Sequence, residues 1–288
     1  MNNLTLIFDL SGKLGNHFFI LSAMIYAIKK YNIKCYLYVM NCVNGGIYID
    51  YVYEHLNDYI IDKIPENARY CYDICGDMHV GDEIDLDLVI QKHINDDVTI
   101  YLYWEWFQDK KYFLPYKEDI QKIFNVNDIK FNKWNDMITD NDVFISVRRG
   151  DYIYFNFFVL TDTFYIDIYN EYFEGKNIYM SSDDIDWCKT YLSIDKFNNC
   201  KNITYIENYT PQEIVSLSKY FSNYISANST FSWMCNLNSI HNNKKCIGVI
   251  NIKKDISRDN VFDDNDIVYD LRKQDNIKYI DTINDALS

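Results

Sequence analysis

The sequence predicts an α/β protein made of two domains, each built around a parallel β-sheet. Short apolar runs alternate with longer amphipathic stretches along the chain, which is the strand–helix order of parallel α/β sheets. The chain has 288 residues, of which 48% are hydrophobic, so each half can bury a core of its own. The most polar central stretch, 125–142, places the boundary, and we assign 1–139 to an N-terminal domain and 140–288 to a C-terminal domain.

The N-terminal half is predicted to open with a strand over Thr5–Phe8, a glycine-bearing turn, and a helix over 16–31 that carries apolar residues on one face. Its further predicted elements are strands 35–40 and 98–104 and helices 50–59 and 109–124, the last of them interrupted by Pro115.

The C-terminal half repeats the alternation. Thr210, Pro211 and Glu213 form a capping box with proline at the first helical position, which predicts the start of a helix that runs to about Tyr220. The other predicted elements are strands 143–147, 177–180, 203–206, 224–227 and 246–250 and helices 161–173, 183–192, 230–238 and 281–288.

The composition is acidic, with a formal net charge of −14 and a pI of about 4.7. Such a surface repels nucleic acids and anionic membranes, so neither is an expected partner. Arginine is scarce, and two of the arginines are adjacent, so an anion site would have to concentrate these cations locally. The arginines stand at Arg69, Arg148, Arg149, Arg258 and Arg272.

Eight cysteines are scattered along the chain without the spacing of a disulfide framework. The segment Met1–Ile7 lacks the basic region and the long apolar run of a signal peptide or membrane anchor. We therefore expect free thiols, a reducing cytoplasmic setting and no transmembrane segment.

The adjacent arginines follow a predicted strand, in the segment Val147–Tyr152. Ligands of open α/β sheets bind beyond the carboxyl ends of strands, where a guanidinium of Arg148 or Arg149 can grip phosphate oxygens and offset charge on a departing diphosphate. Gly150 is expected to allow a sharp turn, and Asp151 to hold an arginine in place. A surface ion pair at the strand end is the alternative interpretation.

A second predicted strand ends in the segment Tyr179–Asp184, which closes on two serines and two aspartates. Asp183 or Asp184 could bond a base edge or a ribose hydroxyl at this position. Helix capping by Ser182 or Asp183 explains the same residues.

A third strand runs into a helix through small polar residues, from Ser226 to Trp233. Free backbone N–H groups and hydroxyls at Asn228, Ser229 and Thr230 could form an anion cradle. Ordinary N-capping by Ser or Thr is the alternative, with Trp233 in the core.

The fourth segment is the turn Gly12–Phe18 between the first strand and the first helix. It could present Asn16 and His17 to a ligand, although tight strand-to-helix packing explains its glycines equally well.

Two patterns suggest metal ligands. Asp184 and Asp186 would diverge on a helix, and Cys71, Cys75 and His79 show no clear fourth ligand. We therefore expect no metal and no other cofactor.

Taken in order, the four segments resemble glycosyltransferase family 11, the α-1,2-fucosyltransferases. The family's Gly-Gly/Arg-Leu-Gly-Asn-Gln-Met-Phe is similar to Gly12–Phe18, and its His-x-Arg-Arg-Gly-Asp-Tyr is similar to Ser146–Tyr152. Its Ser-Asp-Asp with a following Trp-Cys matches 182–184 and 187–188, and its Asn-Ser-Thr-Phe-Ser-Trp matches 228–233 without change. The resemblance covers most of the chain.

The resemblance implies a GT-B-like fold of two Rossmann-like domains facing a cleft, with the acceptor on the N-terminal side and the nucleotide sugar on the C-terminal side. It implies metal-independent, inverting transfer of fucose from GDP-fucose to a hydroxyl of an acceptor glycan, in α-1,2 linkage to galactose. Arg148 would contact the diphosphate, and Asp183 or Asp184 the guanosine. The residues expected to bind the donor are Arg148, Arg149, Asn16, Asp183, Asp184, Asn228, Ser229, Thr230 and Phe231.

Three positions depart from the family pattern. Ser146 stands where the family has His, His17 where it has Gln, and Met234 after Trp233 where it often has Gly. A phosphate-binding role for Arg148 is compatible with all three.

Inverting transfer also requires a base for the acceptor hydroxyl, and the candidates are Asp151, Asp162 and His17. His17 has a suitable ordinary pKa of about 6.5, and the residues leave the choice open. Stabilisation of the leaving diphosphate by Arg148 is expected to matter more than any base. A GT-B transferase for another nucleotide sugar and an inactive GDP- or glycan-binding module remain the alternative functions.

Overall fold

The strand–helix alternation predicted from the sequence is present in both halves of the chain. The structure is a computed structural model that describes residues 3–44, 49–75, 84–103, 105, 107–125, 134, 136–155, 158–250, 266–270 and 279–281. The chain divides into two compact units, Met1–Phe124 (unit 1) and Asn125–Ser288 (unit 2). The division falls at the start of the polar stretch 125–142.

Unit 1 is a five-stranded parallel sheet with helices packed on it, in the strand order β3-β2-β1-β5-β4. Its strands are β1 (Thr5–Asp9), β2 (Lys34–Tyr38), β3 (Ile60–Ile61), β4 (Arg69–Tyr70) and β5 (Thr99–Leu102). Its helices are α1 (Leu14–Tyr31), α2 (Met40–Asn44), α3 (Asp50–Leu56), α4 (Cys71–Cys75), α5 (Leu86–His93), α6 (Lys110–Phe113) and α7 (Lys117–Phe124).

Helix α1 covers the sheet of unit 1 with an apolar face that is almost completely buried. The ring of Phe18 lies 4.7 Å from that of Phe113 and 5.6 Å from that of Phe124, measured between centroids. The predicted interruption at Pro115 is confirmed, because a 3₁₀ turn over Leu114–Tyr116 separates α6 from α7. These contacts pack α1 against α6 and α7.

Unit 2 is a six-stranded parallel sheet in the order β12-β11-β10-β6-β8-β9. Its strands are β6 (Asp142–Val147), β8 (Asn177–Ser182), β9 (Ile203–Tyr205), β10 (Asn223–Ser226), β11 (Lys245–Ile250) and β12 (Ile267–Asp270), with β7 (Val159–Leu160) and β13 (Ile280–Asp281) paired antiparallel beside it. Its helices are α8 (Gly150–Tyr154), α9 (Asp162–Tyr172), α10 (Ile185–Tyr191), α11 (Pro211–Ser218) and α12 (Thr230–Leu237).

The sheet of unit 2 has the strand order of a Rossmann fold, in which the order reverses between β6 and β10. Every residue of β6 is buried, and α9 packs Phe164, Tyr165 and Ile168 into the same core. Two parallel Rossmann-like units in one chain confirm the predicted α/β, GT-B-like class.

The capping box is confirmed, since the Thr210 hydroxyl accepts from the Glu213 amide and the Glu213 carboxylate accepts from the Thr210 amide. Each cysteine whose side chain is described carries a free thiol. No helix in the described part of the chain is long and apolar enough to cross a membrane. The predicted helix 281–288 lies outside the described residues, except that Asp281 belongs to β13.

Candidate functional site

The carboxyl edge of the unit 2 sheet brings three of the predicted segments together. β6 pairs with β8 on one side and with β10 on the other, so the loops that leave these three strands are neighbours. The strand order reverses between β6 and β10, and in open α/β sheets this switch point is where ligands bind. The arginine pair follows β6, the aspartate pair follows β8, and the Asn-Ser-Thr segment follows β10.

Arg148 is held by two carboxylates. Its Nη1 donates to Asp183 Oδ2 and its Nη2 to Asp151 Oδ1, and its guanidinium carbon lies 5.0 Å from the centre of the Tyr152 ring. The side chain is 18% exposed, so solvent or a ligand can reach it. Asp151 does hold an arginine in place, as the sequence predicted.

Arg149 is more deeply buried, with 8% of its side chain exposed. Its Nε lies 3.5 Å from Asp184 Oδ2, and its guanidinium carbon lies 3.9 Å from the centre of the Trp187 ring. In the part of the chain that the structure describes, neither its Nη1 nor its Nε has a hydrogen-bond acceptor. Buried guanidinium N–H groups without an acceptor are costly, and they are typical of sites that a ligand completes.

Asp183 connects the two arginines. Its Oδ1 accepts from the Arg149 amide at 2.9 Å, while its Oδ2 accepts from Arg148. The carboxylate lies directly over Gly150, where an added Cβ would come within 2.5 Å of Oδ2. The expected reason for this glycine was therefore wrong: Gly150 does not have a positive φ, and it is required because Asp183 needs the space.

Asp184 begins helix α10. Its Oδ1 accepts from the Trp187 amide at 3.2 Å, and its own amide donates to Ser182 Oγ at 2.9 Å. Asp184 therefore caps α10 and also pairs with the Arg149 guanidinium. Trp187 had no role predicted from the sequence. Its position three residues after Asp184 could have indicated a role, because residues three apart lie on the same face of a helix. Trp187 is therefore expected near Asp184 and the end of β8.

The segment after β10 is tied to the arginine loop by Tyr152, whose hydroxyl donates to the Asn228 carbonyl at 2.9 Å. Asn228 is 3% exposed, and its Nδ2 donates to the Phe158 carbonyl at 3.2 Å. Its Oδ1 has no hydrogen-bond partner among the described residues. Ser229 is the N-cap residue of α12, yet its hydroxyl caps no helix amide. Thr230 and Phe231, the first residues of α12, are half-buried.

Ser146, which stands where the resembled family has His, points into the packing of β6 against α12. Its Oγ lies 2.7 Å from Ser232 Oγ, and both side chains are buried. The hydroxyl pair satisfies both groups without reaching the arginines, so Ser146 joins the strand to the helix.

His17 does not have the position that a base for an incoming sugar needs. The side chain is completely buried, with Nδ1 2.5 Å from the Tyr51 hydroxyl and Nε2 3.0 Å from the Gly12 carbonyl. Burial lowers the pKa of His17 to about 4, in spite of the bond to Gly12. Both nitrogens are occupied, and the interpretation of His17 as a catalytic base is not supported.

Asn16 lies half-buried in the same turn as Gly12, which has a φ of +76°. A Cβ at Gly12 would meet Asn16 Nδ2 at 2.2 Å, so the glycine is required here by conformation and by space. Both residues belong to unit 1.

Asp162 lies at the start of α9. Its Oδ1 accepts from the Thr163 amide at 2.9 Å, and its Oδ2 lies 3.5 Å from Lys196 Nζ. Among the described contacts, none joins this carboxylate to Arg148 or Arg149.

Metal-ligating side chains do not cluster in threes within the described ranges. Asp186 is exposed on α10, and Cys71 is buried. The side chain of Cys75 and all of His79 lie outside the described residues.

The comparisons with known proteins bear on this geometry. The profile of glycosyl transferase family 11 matches residues 88–266, well over half of the chain and both sides of the arginine cluster. The chain belongs to glycosyl transferase family 11. The resemblance stated from the sequence is thereby confirmed.

A curated relative of this family 11 chain is an α-1,2-colitosyltransferase from Escherichia coli, which is 33% identical over 141 residues. The match covers 44% of this chain and 48% of the relative, so the chain spans about half the length of the curated relative it matches.

The chain is also similar to two solved structures. A family 9 glycosyl transferase from Veillonella parvula has a TM-score of 0.48 and 8% identity, covering 96% of this chain and 91% of its own. POFUT1 in complex with GDP-fucose has a TM-score of 0.45 and 10% identity, covering 86% of this chain and 98% of its own.

Proposed function

We propose that this family 11 chain is an inverting, metal-independent glycosyltransferase that moves fucose from GDP-fucose to an acceptor glycan, in α-1,2 linkage to galactose. The observation that carries the proposal is the arginine pair at the switch point of unit 2, whose buried N–H groups include three without an acceptor among the described residues. Unit 2 would hold the donor and unit 1 the acceptor.

The cluster suits a diphosphate in chemistry and in charge. Arg148 is accessible and Arg149 is buried and stacked on Trp187, so one guanidinium can meet the ligand while the other supports it. Three carboxylates, those of Asp151, Asp183 and Asp184, already contact the pair. They hold two cations in a fixed arrangement before the donor arrives, which lowers the cost of organising the site on binding.

The chemistry that we propose for Arg148 is stabilisation of the leaving GDP. As the bond from the sugar to the β-phosphate breaks, negative charge grows on the diphosphate, and a fixed guanidinium in a partly desolvated site favours that charge. Of the three base candidates, Asp151 is the one whose carboxylate contacts an arginine of the cluster. The Asp151 carboxylate already accepts from Arg148 Nη2, so we propose that Asp151 orients Arg148.

Removal of Arg148 tests the site. Arg148→Ala is expected to lower kcat by about 100- to 1,000-fold, the typical loss when a donor to a transition-state anion is removed. Arg148→Lys keeps the charge but loses the bidentate geometry of the guanidinium. Its kcat should therefore lie between those of Arg148→Ala and the wild type. The matched control is Lys189→Ala, which removes the surface ion pair between Lys189, on α10, and Glu207. We expect the kcat of this variant to equal that of the wild type. Full activity in Arg148→Ala would contradict the assignment.

The donor sugar is tested by competition among nucleotide sugars. We expect the wild type to release GDP from GDP-fucose in the presence of EDTA, and to release no UDP from UDP-sugars. The E. coli relative makes colitose the specific second candidate, and colitose differs from fucose by one missing hydroxyl. If GDP-colitose is turned over faster than GDP-fucose, colitose is the donor sugar. The proposed binding site for the GDP part of the donor would stay the same.

A further inference from the structure

The carboxyl edge of the unit 1 sheet holds two buried polar side chains that lack hydrogen-bond partners among the described residues. Ser11 follows β1 and Gln108 follows β5, and these neighbouring strands flank the point where the strand order of unit 1 reverses. Ser11 is 6% exposed and Gln108 is 5% exposed. The Ser11 hydroxyl and both ends of the Gln108 amide have no hydrogen-bond partner in the described structure. A buried amide with neither end bonded is strongly disfavoured unless a ligand completes it.

The backbone beside Gln108 is held in a rarely populated conformation. Phe107 has a φ of +50°, in the left-handed region that a bulky residue seldom adopts, and the Asp109 amide donates to its carbonyl at 2.7 Å. The Phe107 ring packs 5.6 Å from Phe8 and 5.9 Å from Tyr112, between centroids. The core of unit 1 therefore fixes this turn, and such strain is concentrated at ligand sites.

Tyrosine rings form a connected group at the ends of β2, β4 and β5, around the buried ring of Tyr101. Neighbouring rings in this group lie between 5.2 and 6.2 Å apart, and the group contains Tyr38, Tyr70, Tyr72, Tyr101 and Tyr103. Tyr70 is exposed. An aromatic ring with a polar end offers an apolar face together with a hydroxyl, which suits a ligand that is apolar on one face and hydroxylated at its rim.

We propose that this edge is the acceptor subsite, in which Gln108 and Ser11 bond the hydroxyls of a neutral sugar and the tyrosines line it. This inference rests on the proposed function. An amide supplies one acceptor and two donors, the set that adjacent sugar hydroxyls need, and a serine hydroxyl both donates and accepts. The buried carboxylates of the same edge, Asp9 and Glu105, repel phosphate. A neutral sugar fits these groups better than a second nucleotide does.

The experiment replaces the amide by an apolar side chain of similar size. Gln108→Leu is expected to raise the acceptor KM by about tenfold, since a pair of hydrogen bonds to the sugar is lost. Hydrolysis of the donor by water should not change, because the arginine cluster is untouched. The melting temperature should stay equal or rise, since an unbonded buried amide has been removed; a purely structural glutamine would lower it. Gln121→Leu on α7 of the same unit is the matched control.

An unchanged acceptor KM in Gln108→Leu, alongside normal wild-type transfer, would overturn the subsite and leave the proposed function standing. If the wild type releases GDP from no donor, the proposed function fails. The subsite is then tested by the binding of sugars alone. Wild type and Gln108→Leu are then titrated with methyl glycosides of galactose, glucose, mannose and N-acetylglucosamine. Binding to one of them that the variant loses would support the subsite. Equal binding by both proteins, or none by the wild type, would overturn it.

Discussion

The imidazole of His17 is a buried structural group at the start of α1. Its two nitrogens bond the Tyr51 hydroxyl and the Gly12 carbonyl, and the Cys42 thiol lies 3.2 Å from Nε2. Burial raises the pKa of the Cys42 thiol to about 12, so the thiol is neutral at physiological pH. A neutral network therefore joins the turn after β1 to α2 and α3.

The folded pKa of His17 gives a prediction for stability. The pKa is about 4 in the folded state and about 6.5 in the unfolded state. Between these values the unfolded chain binds a proton that the folded chain does not bind, so stability is lost as the pH falls from 6.5 toward 4, by about 2 kcal/mol at pH 5. Urea unfolding of wild type and His17→Gln at pH 7.5 and pH 5 measures this. The pH-dependent loss should be smaller in the variant, and equal losses would show that His17 is not its source.

Substitution of Asp151 distinguishes a residue that orients Arg148 from one that accepts a proton. Asp151→Asn keeps an oxygen that can accept from Arg148 and removes the negative charge, so we expect kcat to fall by about tenfold or less, with the shape of the pH–rate profile retained. A base would behave differently, with a loss of about 100-fold or more and disappearance of the acidic limb. Asp162→Asn, whose carboxylate pairs with Lys196, serves as the comparison and should be nearly neutral.

At the scale of elements, the loop between β6 and α8 depends on the close approach of Asp183 to Gly150. Gly150→Ala places a methyl group within 2.5 Å of the Asp183 carboxylate, which must move away from both arginines. We expect kcat/KM to fall at least about tenfold, with little change in melting temperature, because Gly150 is exposed and its φ suits alanine.

The control for this change is Gly175→Ala, in the turn before β8. Gly175 has a φ of +80° and open space at the Cβ position, so the variant should lose roughly 1 kcal/mol of stability and keep its activity. Parallel measurement of melting temperature and turnover distinguishes the two glycines. Equal activity in both variants would mean that the position of Asp183 does not matter.

The sequence predicted those elements whose signals are local. The capping box at Thr210, the break at Pro115 and the alternation of strands were all readable, because each depends on residues close in the chain. The bond from Asp183 to Arg148 spans 35 positions, and the stacking of Trp187 on Arg149 depends on how β6 pairs with β8. Pairing of distant strands determines such contacts, so the sequence predicted which segments matter and could not predict which side chains meet.

Buried polar residues were the second gap in what the sequence could predict. The pattern near residue 17 suggested a reactive imidazole, whereas the helix places it in the core. Gln108 drew no attention in the sequence, since a single amide between aromatic residues resembles ordinary loop chemistry. Only burial of both ends of its amide distinguishes it.

At the scale of the whole molecule, the acidic charge and the arginine cluster act in opposite directions. The net charge of −14 repels a nucleotide sugar at long range, while the guanidinium pair attracts its diphosphate at short range. Salt screens the long-range repulsion between exposed charges more than contacts in a partly buried site. The cluster therefore has to supply a local attraction that the surface as a whole opposes.

The proposed assignment of the donor to unit 2 predicts which backbone amides GDP protects from exchange. In hydrogen–deuterium exchange, saturating GDP should slow exchange in peptides covering 146–152, 181–187 and 226–233, the three loops at the carboxyl edge of unit 2, because a bound ligand suppresses local opening. Peptides that cover Ser11 and Gln108 in unit 1 should exchange as they do without GDP. Arg148→Ala should remove the protection while leaving the exchange of β6 itself unchanged, since that strand is buried in the core. Protection confined to unit 1 would place the nucleotide on the wrong sheet and contradict the roles proposed for both units.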